Sequence, residues 1–347
     1  MSFDIAAILA VDGVSSGAIY ALVAIGTVLL FSVTRVMFVP CGDLAAFTAL
    51  SLAALDTGKA PGTVGLVIIL ALMAFAMEAY GLWRSGRLRA LPRAALYYLA
   101  APIAIALAVR FIAPLSPPLP VRLLMALLIV VPVAPLLDRI VFRPVADAPV
   151  LLLLIIAVAL HFALVGLGLL FFGPEGVRTE PLTSVSTEIL GAPVSGQTML
   201  IVVAALALSG LLYVCFDYTL IGKALRATSS NRTGARLMGI RPARAGSIAY
   251  ILGSVLAGVS GLLIAPVNTI FYDSGFLIGL KAFVGAMIGG LHSYPGAALG
   301  ALFVGLLESF ASFQSSSLKD VIVFSLLVPI LMWRSITSLH IEEDDEE

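Results

Sequence analysis

Asp217 to Arg244, DYTLIGKALRATSSNRTGARLMGIRPAR, is the one long polar and basic stretch between two strongly apolar spans of this chain. It carries Lys223, Arg226, Arg232, Arg236, Arg241 and Arg244, and its only acid is Asp217 at the edge. Basic residues are retained on the cytoplasmic side of a membrane protein, so this bias marks a cytoplasmic face. Orienting this loop orients every span on either side of it.

Apolar runs long enough to cross hydrocarbon, roughly 20 residues each, recur on both sides of the loop. They lie near 11–33, 38–55, 62–82, 94–112, 120–137, 148–172, 197–216, 245–266, 278–291, 296–313 and 318–334. With 61% hydrophobic and 12% charged residues, the chain is far from a soluble domain, in which about a quarter of residues are charged. The expected fold is all-α: a polytopic transmembrane helical bundle of about nine to ten membrane segments, forming one integral domain over 1–334. Segment 278–291 is short for a full crossing, and HSYPG joins it to the next, so it reads as re-entrant. The first run has Asp4 and Asp12 ahead of it and no basic leader, which makes it a span and not a signal peptide.

Placing the N-terminus outside and the C-terminus inside puts Arg35, Arg84, Arg87, Arg89, Arg93, Arg139, Arg143, the six loop bases and Arg334 in the cytoplasm. That is fourteen of the 20 Lys and Arg residues, against Lys59, Arg110, Arg122, Arg178, Lys281 and Lys319 outside. The mirror topology inverts the rule. The polar, Pro- and Gly-rich segment 173–196 reads as a short external cap, and the tail 335–347, ending EEDDEE, as an acidic, solubilising cytoplasmic end.

Much chemistry is excluded. A net charge of zero gives no steering toward nucleic acid. Cys41 and Cys215 lie far apart and the three histidines have no partner at ligand spacing, so no metal site is expected. Neither GxxxxGK[ST] nor HExxH occurs. The chain is therefore expected to bind no cofactor and to carry no catalytic residues, with any ATP chemistry on another polypeptide.

Within the basic loop, Ile221 to Ala227 reads as one short helix and Asn231 to Met238 as a second, with Gly239 a C-terminal stop before Ile240-Arg241-Pro242. Mere connectivity needs far fewer residues, which favours a docking knob. Small residues at intervals of four, Gly253-Ala257-Gly261, Gly285-Gly289 and Gly296-Gly300, read as close helix packing in the C-terminal third.

GKALRATSSNRTGARLMGIRPAR, then a span, then GLKAFVGAMIGGLHSYPGAALGALFVGLLES resembles the permeases of branched-chain amino acid ABC importers, the LivH type. GAIYALVAIGTVLLFSVTRV with the following GDL, VFRPVADAPVLLLLIIAVAL and FFGPEG agree with it. The resemblance implies a permease subunit of the bacterial inner membrane that pairs with a second permease subunit and two cytoplasmic ATPases holding ATP and Mg. A periplasmic binding protein would deliver branched-chain amino acids or a related small polar solute. Gly222, Lys223, Arg226, Ala227, Arg236, Leu237, Gly239 and Ile240 would form the coupling element that sits in a groove of the ATPase. Three departures stand out: Phe38-Val39-Pro40-Cys41-Gly42-Asp43 replaces the family's Asn-Phe-Ala-His-Gly before the Asp, the second coupling helix lacks acids, and Arg84 to Pro120 resembles an inserted proline-rich hairpin.

Ionisable groups at bilayer depth are costly and mark candidate pathway residues. Gly42, Asp43, His161 and Glu308 are the candidates. His161 is either a neutral side chain bonded to a neighbouring helix or part of a route. Glu308 either faces water or pairs with a base such as Lys319. Asp43 either caps the second span or contacts substrate. Helix breaks at Pro40 to Asp43, Asn268 to Gly275 and Ser293 to Gly296 offer backbone groups to a solute. The early GD and the later YDSG, on segments of opposite direction, suggest inverted relatives. The rival reading is a secondary carrier or channel acting alone, which needs an ionisable relay. An intramembrane enzyme needs a paired constellation, and the distance between His161 and Glu308 in the sequence argues against one.

Overall fold

The computed structural model describes residues 3–146, 148–183, 185–189, 192–291, 293–316 and 318–338. Its helices in chain order are α1 (Phe3–Thr34), α2 (Cys41–Asp56), α3 (Thr63–Arg84), α4 (Leu91–Leu115), α5 (Leu119–Val145) and α6 (Val150–Phe172). They continue with α7 (Gly196–Tyr218), α8 (Leu220–Ser230), α9 (Arg232–Leu237), α10 (Pro242–Ile264), α11 (Ser274–Gly289), α12 (Tyr294–Gln314) and α13 (Lys319–Ser338). Among the described residues, eight of these, α1, α3 to α7, α10 and α12, are long and apolar enough to cross a membrane. The polytopic helical bundle expected from the sequence is the architecture observed.

One exception to pure helix lies in the 173–196 segment. Ser186–Ile189 (β1) and Ala192–Ser195 (β2) pair as a small antiparallel ribbon, and Val177 bridges to Ile270. The acidic tail falls mostly outside the described residues: 339–347 are not described, while 335–338 continue α13.

Two helices are short. The second segment, read as a span over 38–55, is a 16-residue helix, α2, and α11 also has 16 residues. At 1.5 Å per residue each is about 24 Å long, less than the roughly 30 Å of hydrocarbon. The short apolar segment expected at 278–291 thus begins earlier, at Ser274, and has a counterpart of equal length at the other end of the chain. Each is preceded by irregular backbone, 35–40 and 265–273, anchored in protein by the buried Val36, Phe38, Ala265 and Ile270, while Arg35, Asn268, Thr269, Phe271 and Asp273 are exposed. Burial of that kind is the condition for irregular backbone at membrane depth.

α1 is the hub, buried along most of its length against α10, α11 and α12. Small residues permit this. A side chain at Gly17 would meet the backbone of Leu302, and one at Gly253 the Leu30 side chain. α11 and α12 pack as an antiparallel pair through Gly285, Gly289, Gly296 and Gly300, where backbone touches backbone. Lipid tails are as apolar as leucine, so van der Waals fit is what remains to associate spans. The outer helices show the complement: Phe111, Leu151, Leu170 and Leu206 are exposed, an apolar surface suited to lipid.

The inserted segment 84–120 is no hairpin; its body is the single 25-residue helix α4. Pro102 would break an ordinary helix by removing an N–H and crowding the carbonyl four residues before it. A wider π turn over Leu96–Ala100 sits immediately ahead of that proline and absorbs the mismatch. In α5, Pro132 and Pro135 are followed by another π turn at Asp138–Phe142.

Gly289→Val should therefore fail where Gly210→Ala succeeds. At Gly289 any Cβ collides with the Gly296 backbone, whereas nothing lies within 4 Å of one at Gly210. Thermal unfolding in detergent should show a loss of about 3 kcal/mol for the first, and no loss for the second.

Candidate functional site

The two short helices meet at their starts. A Cβ on Gly42 would lie 2.5 Å from the backbone nitrogen of Gly279, and one on Gly275 would lie 2.5 Å from the Asp43 Cα. Only residues without side chains permit this contact. It brings the first turn of α2 onto the first turns of α11, so two positive helix ends converge in the buried interior.

Asp43 occupies that junction. Its Oδ2 is 2.8 Å from His161 Nδ1, and both side chains are buried. Its Oδ1 has no hydrogen-bond partner, yet it lies against Gly275. Two helix N-termini, each carrying roughly half a positive charge, together with the imidazole account for an acid at this depth. The capping role considered for Asp43 is not observed: Pro40 is the N-cap residue of α2 and makes no side-chain cap bond. His161, in the middle of α6, also stacks on Phe276 with ring centroids 4.8 Å apart. The alternative in which His161 bonds to a neighbouring helix is the one observed, with Asp43 as its partner.

Beyond Phe276 lies an apolar cavity of about 160 Å³ lined by Met37, Phe38, Leu154, Val158, Phe276 and Phe283, with Thr27 and Cys41 as its weakly polar members. The irregular segment before α2 thus forms one wall, and α6 and α11 the others.

Glu308 is placed elsewhere, on α12. Its Oε1 accepts from Lys281 Nζ at 2.6 Å and its Oε2 from the Tyr20 hydroxyl at 2.7 Å. Lys281 also reaches Asp320 at 2.9 Å, while Lys319 stands 3.8 Å from Glu308. The expected Lys319 partner is therefore secondary. Lys281, taken from the sequence as an exterior charge, is buried in the bundle, because α11 starts at Ser274, a turn ahead of the apolar run, and carries it inward. Removing it from the exterior count sharpens the charge asymmetry.

The basic loop folds as helix, break and helix. Thr219 caps α8 by accepting from the Gly222 N–H, and Asn231 caps α9 by accepting from the Gly234 N–H at 2.7 Å. Asn231 also separates the two helices in an extended conformation. Gly239 ends the knob at φ +81°, a conformation that glycine adopts without strain. Gly222 is inside the first short helix, which begins at Leu220 and runs on to Ser230. It lies in the first turn of α8, pressed on the Cys215 and Phe216 backbone of α7, which fixes the knob to the bundle. Lys223 and Arg226 are on α8 with Ala227, and Arg236 and Leu237 on α9, ahead of Ile240. Arg226 pairs with Asp217 at 2.5 Å. Leu220 at the start of α8 and Leu237 and Met238 at the end of α9 are each more than 80% exposed, and Leu237 with Met238 gives the basic knob an apolar tip.

A family model described as the branched-chain amino acid transport system permease component matches residues 9–331. The chain is 31% identical over 205 residues to the high-affinity branched-chain amino acid transport system permease protein LivH of Salmonella typhimurium, covering 56% of this chain and 65% of that one. It is 34% identical over 140 residues to BraD, a protein of the same description from Pseudomonas aeruginosa, covering 40% and 45%. It is also 30% identical over 155 residues to the autoinducer 2 import system permease protein LsrC of Yersinia pestis, covering 42% of each. The matched stretch thus spans less than two thirds of these relatives. No solved structure matches.

Removing His161 leaves a buried carboxyl group without its partner. His161→Ala should cost about 1–3 kcal/mol in thermal unfolding. His161→Gln keeps a hydrogen-bond donor in reach of Asp43 and should recover a clear part of that loss.

Proposed function

Because the chain belongs to the branched-chain amino acid transport permease family, we propose that it is the permease subunit of an ATP-driven importer, carrying branched-chain amino acids or a related small polar solute. Its partners in this reading are a second permease subunit, two cytoplasmic ATPases that hold ATP and Mg, and a periplasmic binding protein. Its place is the bacterial inner membrane, with the 217–244 knob and the C-terminus in the cytoplasm. The chain contributes path and lever; bond chemistry stays on the ATPases.

The observation that carries this reading is the knob. A pair of capped short helices joined to α7 by a backbone-close glycine moves with the bundle rather than swinging on a loose linker. Its exposed apolar tip and basic flanks suit a groove in a partner. ATP-driven closure of the ATPases would push on α8 and α9, and α7 and α10, which flank the knob, would transmit the push to α1. At the junction of α2 and α11, Asp43 and His161 with the adjoining apolar cavity supply polar and aliphatic contacts on the proposed path.

The stand-alone carrier needs ionisable groups that titrate through a transport cycle. Here Asp43 is engaged by His161, and Glu308 by Lys281 and Tyr20, an arrangement that suits holding helices together.

With the assembled importer in proteoliposomes, deleting 226–239 should abolish binding-protein-stimulated ATP hydrolysis while membrane insertion persists. Gly239→Val, which strains the φ +81° turn, should lower it severalfold. Wild-type stimulation in the deletion, or ion-gradient uptake by this chain without any ATPase, sinks the reading.

A further inference from the structure

The connection between α3 and α4, at the start of the inserted segment, has no role in the transport reading. Arg84, Arg87, Arg89 and Arg93 lie close together there, and all four are exposed. No Asp or Glu occurs between Glu78 and Asp138, and both of those acids are engaged, Glu78 by Arg139 and Asp138 by Arg143. Among the described residues none of the four arginines pairs with an acid. Retention of bases on one side orients a span, but it does not require four of them together with no counter-charge.

The patch sits where two outward-facing apolar surfaces end. On α3, Ile69, Met73, Met77 and Tyr80 are exposed along one face, and Trp83 follows in the last turn. On α4, Leu96, Tyr97, Leu107 and Phe111 are exposed, and of the eight spans α4 is the least buried. Both surfaces suit acyl chains. Trp and Tyr settle where the chains meet the headgroups, and Tyr80, Trp83 and Tyr97, each more than 60% exposed, mark that level. The arginines lie on the polar side of it: Arg84, Arg87 and Arg89 after Trp83, and Arg93 before Tyr97. This is also the end of the bundle that carries the basic knob. Arg143 donates both to the Tyr98 hydroxyl of α4 at 3.1 Å and to the Ala243 carbonyl at the start of α10 at 3.3 Å.

We infer that the α3–α4 connection is a binding surface for anionic phospholipid, in the leaflet on the knob's side of the membrane. The guanidinium groups take the lipid phosphate, for which their planar fork of N–H donors is suited. Tyr80, Trp83 and Tyr97 pack on the glycerol and the upper part of the acyl chains. Clustered bases at the edge of a span are attracted to a negative leaflet, each adding to the effect. A zwitterionic headgroup brings an ammonium that this patch, having no free acid, cannot receive. An acidic protein would match the charge but would leave the aromatic and aliphatic flanks uncovered. The assignment needs only the membrane-spanning fold and is independent of the transport reading.

The chain has two tryptophans, Trp83 and Trp333, so Trp333→Phe leaves Trp83 as a reporter beside the patch. The full chain carrying that change is reconstituted alone in mixed bilayers of phosphatidylglycerol and phosphatidylcholine, and quenching of Trp83 by brominated acyl chains is read. At equal mole fraction, brominated phosphatidylglycerol should quench as though enriched about fivefold over brominated phosphatidylcholine. Adding Arg84→Gln, Arg87→Gln, Arg89→Gln and Arg93→Gln together, at unchanged thermal stability, should make the two lipids quench equally. Arg87→Gln with Arg89→Gln, a milder change confined to the exposed connection, should lower the preference part of the way. Equal quenching with all four arginines present overturns the inference and leaves the patch to an acidic protein. So does a preference unchanged in both sets of variants, which puts the lipid elsewhere. A preference that emerges only when 339–347 are deleted also overturns it, because the occupant is then the chain's own acidic end.

Discussion

Backbone contact between the starts of α2 and α11 is the constraint on which the rest of the structure depends. Gly42 and Gly275 let two helix N-termini approach to a distance that any side chain at either position would forbid. The Asp43 carboxyl group lies at the meeting point of these two positive ends. A carboxyl group in an apolar interior needs a hydrogen-bond partner, and His161 of α6 provides it. One close approach thereby ties α2, α6 and α11 together and anchors the irregular segments 35–40 and 265–273 in protein. The apolar cavity beside Phe276 is the space left by that arrangement.

The second ionic cluster does comparable work on another face. Lys281 from α11, Glu308 from α12, Asp320 from α13 and Tyr20 from α1 join four helices. Buried ion pairs add little net stability over apolar packing, because desolvation offsets the Coulomb attraction. Their value is in register: a lysine shared by two carboxylates allows few sliding positions for α11 along α12 and α13. The glycine contacts between α11 and α12 set distance, and the charges set alignment.

Legibility in the sequence followed the range of the physics. The knob was readable almost to the residue, since caps, breaks and a left-handed glycine are local: Asn231 and Gly239 do in the structure what their types foretell. The bundle was readable because apolar run length reports crossing length directly. Asp43 and His161 were visible as costly groups at depth, but their pairing was not, being 118 residues apart. Lys281 was misplaced for the same reason. Its partner is on another helix, and nothing within its own turn announces burial. The proline-rich insertion also misled, since π turns that accommodate Pro102 have no clear sequence signature.

By itself, then, the sequence determined a multi-spanning helical protein, its charge asymmetry and a two-helix basic knob, because hydropathy, loop charge and capping act over a few neighbouring residues. Only the tertiary structure decided that two 16-residue helices meet start to start at glycines, which acids meet which bases, and that a cavity of mixed charge opens at the far end of α2. Those outcomes depend on which helix faces which across the bundle. That choice is made by steric fit between distant segments, and no local pattern encodes it.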